Sequence, residues 1–148
     1  MSKKKFNILV KDKIKPFNRS IRVDSDKSIS IRSLLIGAIS QNISCIKNIL
    51  KSEDVISTMD SLKKLGVKIY KKKGIMYVYG KGLGSLSAKK NTYLNFGNSG
   101  TLARLIIGLL TTTPNINLKL TGDHSLRKRS MKKLILLMSK FGAKFLPI

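Results

Sequence analysis

From Lys27 onward the apolar residues alternate between a helical and a strand-like rhythm. Ile29, Leu34, Leu35, Ala38 and Ile39 keep mostly helical spacing, which predicts a helix that starts near Lys27 or Ser28 and ends near Ser40. Residues 44–49 are β-prone. Ser52-Glu53-Asp54 then caps a helix whose Val55, Ile56, Met59, Leu62 and Leu65 form one apolar stripe, stopped at Gly66. The runs 67–70 and 75–79, joined across 71–74, read as a hairpin. Next come a strand over 92–96, a helix from about Ser99 to Leu110, a strand over 115–120 and a helix from about Arg129 to Phe141. Upstream, 6–10 and 20–23 are short strand candidates, separated by a basic linker around 11–17 that Pro16 interrupts.

The second half repeats the order of the first, and the repeat is visible in letters. Lys63-Lys64-Leu65-Gly66-Val67-Lys68-Ile69-Tyr70 aligns with Ser139-Lys140-Phe141-Gly142-Ala143-Lys144-Phe145-Leu146, a helix stop and a following strand 76 positions apart. That spacing is too long for a solenoid and fits a duplicated βαβαββ unit. Unit one would cover about 21–84 and unit two about 85–148. The second unit reaches Ile148 inside its first closing strand, so the expectation is an incomplete α/β chain.

Composition narrows the partners. A chain of 148 residues with 42% hydrophobic content can bury a core of its own. Thirty Lys plus Arg against seven Asp plus Glu give a formal charge of +23, which points to nucleic acid or to anionic small molecules. Lysine is scattered along the whole chain in company with much Asn and Ile, and aromatic content is only 6%. Both features disfavour a dedicated nucleic-acid surface. Arginine is more selective: Arg32, Arg104, Arg127 and Arg129, four of its six positions, fall in segments with other site-like features. Cys45 and His124 are the single cysteine and histidine, too few for a disulfide framework or a zinc site of the usual type. No apolar run has the length of a membrane span, and the Lys-rich start lacks a secretory hydrophobic segment. The expected setting is cytoplasmic, without a membrane partner.

Candidate chemistry gathers at helix starts. Asn95-Phe96-Gly97-Asn98-Ser99-Gly100-Thr101-Leu102-Ala103-Arg104 runs from a strand through a glycine-bracketed turn into an apolar helix. On its own it fits either an anion cradle, with free amides and the helix dipole facing one spot, or an ordinary capped turn. Two further entrances offer similar chemistry. One carries Asp26, Lys27, Ser28 and, a turn later, Arg32; the other follows Thr121 through the basic run Arg127-Lys128-Arg129. If the two units are related by rotation, these cations converge on one anionic ligand. By contrast, Gly80-Lys81-Gly82-Leu83-Gly84 is followed by no helical pattern and reads as a hairpin-end loop.

Three motifs in this order carry a family resemblance: Asp26-Lys27-Ser28-Ile29-Ser30 with Arg32; Gly97-Asn98-Ser99-Gly100-Thr101 with Arg104; and Gly122-Asp123 followed by Ser125-Leu126-Arg127-Lys128-Arg129. Together they resemble the N-terminal part of the EPSP synthase family, over about residues 22–145. The resemblance implies an inside-out α/β fold of the enolpyruvyl transferase type, with two domains of three βαβαββ units each. Residues 1–20 would then belong to the other domain, and 21–148 would form part of a substrate-binding domain. It implies transfer of the enolpyruvyl group of phosphoenolpyruvate to shikimate 3-phosphate with release of phosphate, without metal or organic cofactor. Lys27 would be catalytic and contact phosphoenolpyruvate. Ser28 and Arg32 would bind shikimate 3-phosphate. Asn98, Gly100 and Thr101 would line the phosphoenolpyruvate pocket, and Arg129 would hold its phosphate or carboxylate; Arg104 matches the motif with a structural role open to it. Ile31 stands where the family commonly has His, and Ser130 where it has Pro. The remaining acid/base groups would come from a C-terminal part or a complementary chain, leaving this chain inert alone. Alternatives are a relative acting on a UDP-sugar, a basic nucleic-acid-binding module and a non-catalytic remnant.

Overall fold

The structure is a computed structural model that describes residues 23–146 together with Leu9, Lys11, Asn18 and Ser20. The strand candidates at 6–10 and 20–23, and the linker between them, lie outside the described residues apart from those single positions and Val23.

Helix α1 (Lys27–Ile39) begins at an Asp26 cap, whose carboxylate accepts from the Ile29 amide at 2.7 Å. This satisfies one of the amides that every helix start leaves unpaired. Ile31, Leu34, Leu35 and Ala38 are its buried face, and Ile29 points to solvent. The expected stripe placed Ile29 inside. Positions 31, 34, 35 and 38 follow the i, i+3, i+4, i+7 pattern of one helix face, and position 29 falls on the opposite side.

After β1 (Ile43–Ile46), α2 (Glu53–Lys64) starts at Ser52, whose hydroxyl accepts from the Val55 amide at 3.4 Å. Val55, Thr58, Ser61 and Leu62 are buried, whereas Ile56, expected on the stripe, is half exposed. Ile56 is out of phase with Val55 and Leu62, so burying it would unseat both. Thr58 makes its inward position tolerable by donating to the Asp54 carbonyl at 2.8 Å.

The strands β2 (Lys68–Lys72) and β3 (Ile75–Tyr79) form the expected hairpin, but its turn is tighter than the four residues anticipated. Lys72 pairs with Ile75, and the two turn residues, Lys73 and Gly74, both have positive φ, 47° and 78°. That is the backbone a two-residue hairpin requires to match strand twist. Strand β1 adds to β3, giving an antiparallel sheet in the order β1-β3-β2. Alternation sends Ile69, Met76 and Val78 inward against the helices. Tyr70 and Tyr77 stack at 5.1 Å on the outer face. The hydrogen bond between the Tyr70 and Tyr79 hydroxyls raises the Tyr70 pKa above its ordinary value.

The second half opens with β4 (Thr92–Asn95), α3 (Gly100–Leu110) and β5 (Leu118–Thr121), a parallel β4–β5 pair with α3 as the crossover. Strand β5 begins later than the expected 115, because Asn115 adopts φ 55° and turns the chain first. The helix expected over 129–141 starts later, as α5 (Lys132–Lys140), and is preceded by a short helix that was not expected, α4 (His124–Arg127), capped by Asp123. The Asp123 carboxylate holds the Leu126 amide at 2.7 Å and starts a helix within the basic run itself. Arg129 therefore sits between helices and not at a helix entrance. Ser130 accepts weakly from the Lys132 amide at 3.4 Å, and Met131 occupies the capping position.

The internal repeat extends to the hydrogen bonds. Gly66 and Gly142 have φ 82° and 91°. Gly66 donates to Lys63 and Val67 to Leu62, each at 3.0 Å; Gly142 donates to Ser139 at 3.0 Å and Ala143 to Met138 at 3.2 Å. Both helices thus end in the same Schellman geometry, which glycine adopts without steric cost. The strand expected after the second stop does not form: residues 143–146 carry no ladder. A strand exists only against a partner, and no described strand lies beside this one.

The core is built from α1, α2, α3 and the inner faces of both sheets, with Ile31, Leu34, Leu62, Leu94, Leu102 and Ile106 fully buried. Apolar surface is left exposed along α5 and its cap, where Leu136, Leu137 and Phe141 are 65%, 50% and 72% exposed. Leu62→Ala is expected to lower unfolding stability by about 2–5 kcal/mol. Urea unfolding of the 148-residue chain checks this, and a loss below 1 kcal/mol would mean that α2 does not seal the core.

Candidate functional site

A cleft of about 420 Å³ opens where the N-terminal ends of α1, α2 and α3 meet. It is lined by Lys27 from α1, Glu53 and Asp54 from α2, Asn98, Gly100 and Thr101 around the start of α3, and Arg129 from the segment after α4. Three helix starts at one place concentrate partial positive charge there, since the first amides of each helix have no partner four residues back.

The entrance to α3 is fixed by a chain of short contacts. Gly97, at φ 55°, donates to the Asn95 side chain at 3.0 Å, and the buried Ser99 hydroxyl accepts from Leu102 at 3.3 Å. The Phe96 amide donates to the Thr121 carbonyl and the Asp123 amide to the Gly97 carbonyl, both at 2.9 Å. These two bonds continue the β4–β5 ladder past its end. They lock the turn before α3 to the turn before α4, and so carry Arg129 to the cleft.

Arg129 is aimed by Asn98, whose Oδ1 accepts from the guanidinium at 2.6 Å. The guanidinium lies over Gly100 so closely that a Cβ there would sit 2.8 Å from Nη1. Glycine at 100 thus makes room for the guanidinium where it lies, and its backbone does not need the left-handed region. From α1, Lys27 Nζ meets Asp54 Oδ2 at 3.0 Å, with the carboxylate side chain 16% exposed and the lysine 50%. Arg104 donates to the Ser130 carbonyl at 3.4 Å and so braces the segment that carries Arg129.

Of the residues anticipated from sequence, Lys27, Asn98, Gly100, Thr101 and Arg129 line one cleft. Ser28, half-buried, and Arg32, exposed, share α1 with Lys27 but do not line it. Arg127 borders a smaller apolar hollow of about 170 Å³ with Phe96, Ile107 and Leu126. Ile31, where a polar residue was the norm of the resemblance, is fully buried in the core. Sequence reasoning missed Glu53 and Asp54, reading them as cap residues only. The available signal was that α2, too, starts with polar residues, as the other converging helices do.

The lining carries two cations and two carboxylates, so despite the chain's +23 charge its acids and bases balance locally. What remains in excess is hydrogen-bond donors: the Lys27 ammonium, the Arg129 fork, the Thr101 hydroxyl and helix amides. Such a set suits a small, multiply charged oxyanion such as a phosphate or carboxylate. Among the described residues no group of three or more His, Cys, Asp or Glu could hold a metal ion, and no helix is long and apolar enough to cross a membrane.

Fold and cleft together define an α/β protein that gathers three helix starts around one donor-rich cleft. Residues 11–146 match the family model of EPSP synthase (3-phosphoshikimate 1-carboxyvinyltransferase), and the chain belongs to that family. It is 45% identical over 132 residues to the 3-phosphoshikimate 1-carboxyvinyltransferase of Sulfurihydrogenibium sp. (strain YO3AOP1), covering 89% of this chain and 30% of that protein. The corresponding protein of Streptococcus agalactiae serotype Ia is 43% identical over 125 residues, covering 84% and 29%. Among solved structures, EPSP synthase from Acinetobacter baumannii superposes with a TM-score of 0.75 at 34% identity, covering 84% of this chain and 28% of that one. The chain spans about 30% of the length of the curated relatives it matches. These matches give no support to the UDP-sugar or nucleic-acid alternatives.

Gly100→Ala is expected to leave stability within about 1 kcal/mol, because the atom in the way is the far end of a flexible side chain. The displaced guanidinium should weaken inorganic phosphate binding about tenfold. Thermal unfolding and isothermal titration of the same variant check the two halves of this expectation; unchanged phosphate affinity would remove Arg129 from the site.

Proposed function

We propose that this chain supplies the phosphoenolpyruvate-binding wall of a 3-phosphoshikimate 1-carboxyvinyltransferase. In the proposed reaction, the enolpyruvyl group of phosphoenolpyruvate passes to a hydroxyl of shikimate 3-phosphate, and inorganic phosphate leaves. The observation that carries the reading is the pairing of Arg129, held by Asn98 at 2.6 Å, with Lys27 across a cleft floored by the start of α3. Phosphoenolpyruvate carries a phosphate and a carboxylate on the same vinyl carbon. Two cations on different walls, with amides between them, suit a ligand charged at both ends.

In this reading Arg129 grips the phosphate or carboxylate in a fork. Lys27 meets phosphoenolpyruvate and is assigned the catalytic role, as a proton donor facing the reacting centre. Asn98, Gly100 and Thr101 form the floor. Ser28 and Arg32, which share α1 with Lys27 but do not line the cleft, are assigned to shikimate 3-phosphate, which would lie beside phosphoenolpyruvate. Residues 21–84 and about 85–148 are taken as two units of the substrate-binding domain, a division supported by the matching glycine stops at Gly66 and Gly142. The other acid/base groups are assigned to a partner segment, either continuous with this chain or a complementary polypeptide, and residues 1–20 to the domain which that segment completes. No metal or organic cofactor enters the proposal.

The chain alone should bind phosphoenolpyruvate but not turn it over. Titration calorimetry is expected to show binding that Arg129→Gln weakens by about 10- to 100-fold, the loss of a charged bidentate contact. A phosphate-release assay with both substrates is expected to stay at background. Absence of phosphoenolpyruvate binding would overturn the proposed function, and turnover at an ordinary enzymatic rate would overturn the division of labour.

A further inference from the structure

Asp54 is an odd feature of a site for anions, since a carboxylate on its wall repels the ligand. We infer that Asp54 is a positioning residue: its carboxylate fixes the Lys27 ammonium over the α3 entrance, so that Lys27 and Arg129 meet an incoming oxyanion as a preset pair. The inference deepens the proposed function and rests on it for the identity of the oxyanion, but the placement of Lys27 stands on geometry alone.

The two cations of the cleft are held in the same manner. Arg129 is aimed by Asn98 at 2.6 Å, and Lys27 is aimed by Asp54 at 3.0 Å. In each case one donor is spent on a protein oxygen and the rest stay available: two N–H groups of the ammonium, and further N–H groups of the guanidinium. A lysine needs this more than an arginine, because its point charge sits on a flexible four-carbon stem, whereas the planar guanidinium fork is pre-organised and loses less per hydrogen bond. Asp54 is itself well anchored. It lies in the first turn of α2, its side chain is only 16% exposed, and its backbone carbonyl accepts from Thr58 at 2.8 Å. Helix α2 packs directly on α1, so the pair spans two rigid elements.

The competing account is that Asp54 merely places negative charge at a helix start, where the dipole favours it. Glu53 separates the two. It occupies the same turn and lines the same cleft but makes no ion pair with Lys27. Charge alone would make Glu53→Gln and Asp54→Ala act alike, strengthening anion binding by removing repulsion. Positioning gives them opposite signs.

The test uses the 148-residue chain with inorganic phosphate and phosphoenolpyruvate as probes. Without ligand, NMR of ¹³C-labelled lysine, with Lys27 assigned through Lys27→Arg, is expected to show two distinct, ordered ε-methylene protons. Asp54→Ala should average them, and Glu53→Gln should not. In titrations, Asp54→Ala is expected to weaken phosphate binding about three- to tenfold, Asp54→Asn, which keeps an acceptor, by less, and Glu53→Gln to strengthen it. In a Lys27→Gln background Asp54→Ala should cost nothing further, an outcome that general damage to α2 would not give. A Lys27 ammonium already averaged in the parent chain, or Asp54→Ala and Glu53→Gln shifting affinity in the same direction, would overturn the inference. Ordered Lys27 lost only in Asp54→Ala, in a chain that binds neither probe, would support the positioning and overturn the proposed function instead.

Discussion

Three helices arrive at one point with the same dipole end forward, and this convergence sets the terms for the rest of the structure. Like partial charges brought together repel, so the arrangement has to be stabilised from elsewhere. Part of that comes from carboxylates placed within a turn of the helix starts: Asp26 on α1, and Glu53 and Asp54 on α2. The larger part comes from burial behind the cleft, where Ile31, Leu34, Leu62, Leu102 and Ile106 lose all contact with solvent. The apolar core and the polar cleft are two ends of the same three helices. What holds one end together obliges the other end to gather charge.

The cleft then uses that charge in a graded way. Backbone amides and helix ends provide a fixed positive field, whereas Arg129 and Lys27 add mobile cations that need aiming. Each is aimed by a neighbouring oxygen supplied from a different element, Asn98 before α3 and Asp54 within α2. Gly100 keeps clear the space through which the arginine reaches. The ladder of β4 and β5, extended by the Phe96 and Asp123 amides, connects the two turns from which Asn98 and Arg129 depart. Sheet geometry is thereby translated into the spacing of cations, which is how an α/β scaffold acquires chemistry at the ends of its strands.

Much of this was legible in the chain. The caps at Ser52 and Ser99, the polar start of the first helix, the stops at Gly66 and Gly142, and most of the order of strands and helices were read from local rules, because capping and left-handed turns depend on few neighbours. The motif letters also named most of the cleft. The misreadings share one cause. Ile29 and Ile56 were placed inside by an approximate helical spacing, but the phase of a helix is set by what it packs against. The basic run from Arg127 to Arg129 was taken as the entrance of the last helix. Asp123 instead captured the Leu126 amide and started a separate short helix before it.

The sequence by itself determined most of the elements, the excess of positive charge and the family, since these are carried by local pattern and by letters in order. Only the tertiary structure decided which residues share a space. It joined Lys27 to Asp54 across 27 positions and Asn98 to Arg129 across 31, and it left Ser28 and Arg32 off the cleft although they neighbour Lys27 in the chain. The physical reason is that a helix turns each successive side chain by about 100°. Adjacency in sequence therefore scatters side chains around an axis, and the packing of several helices selects the ones that meet.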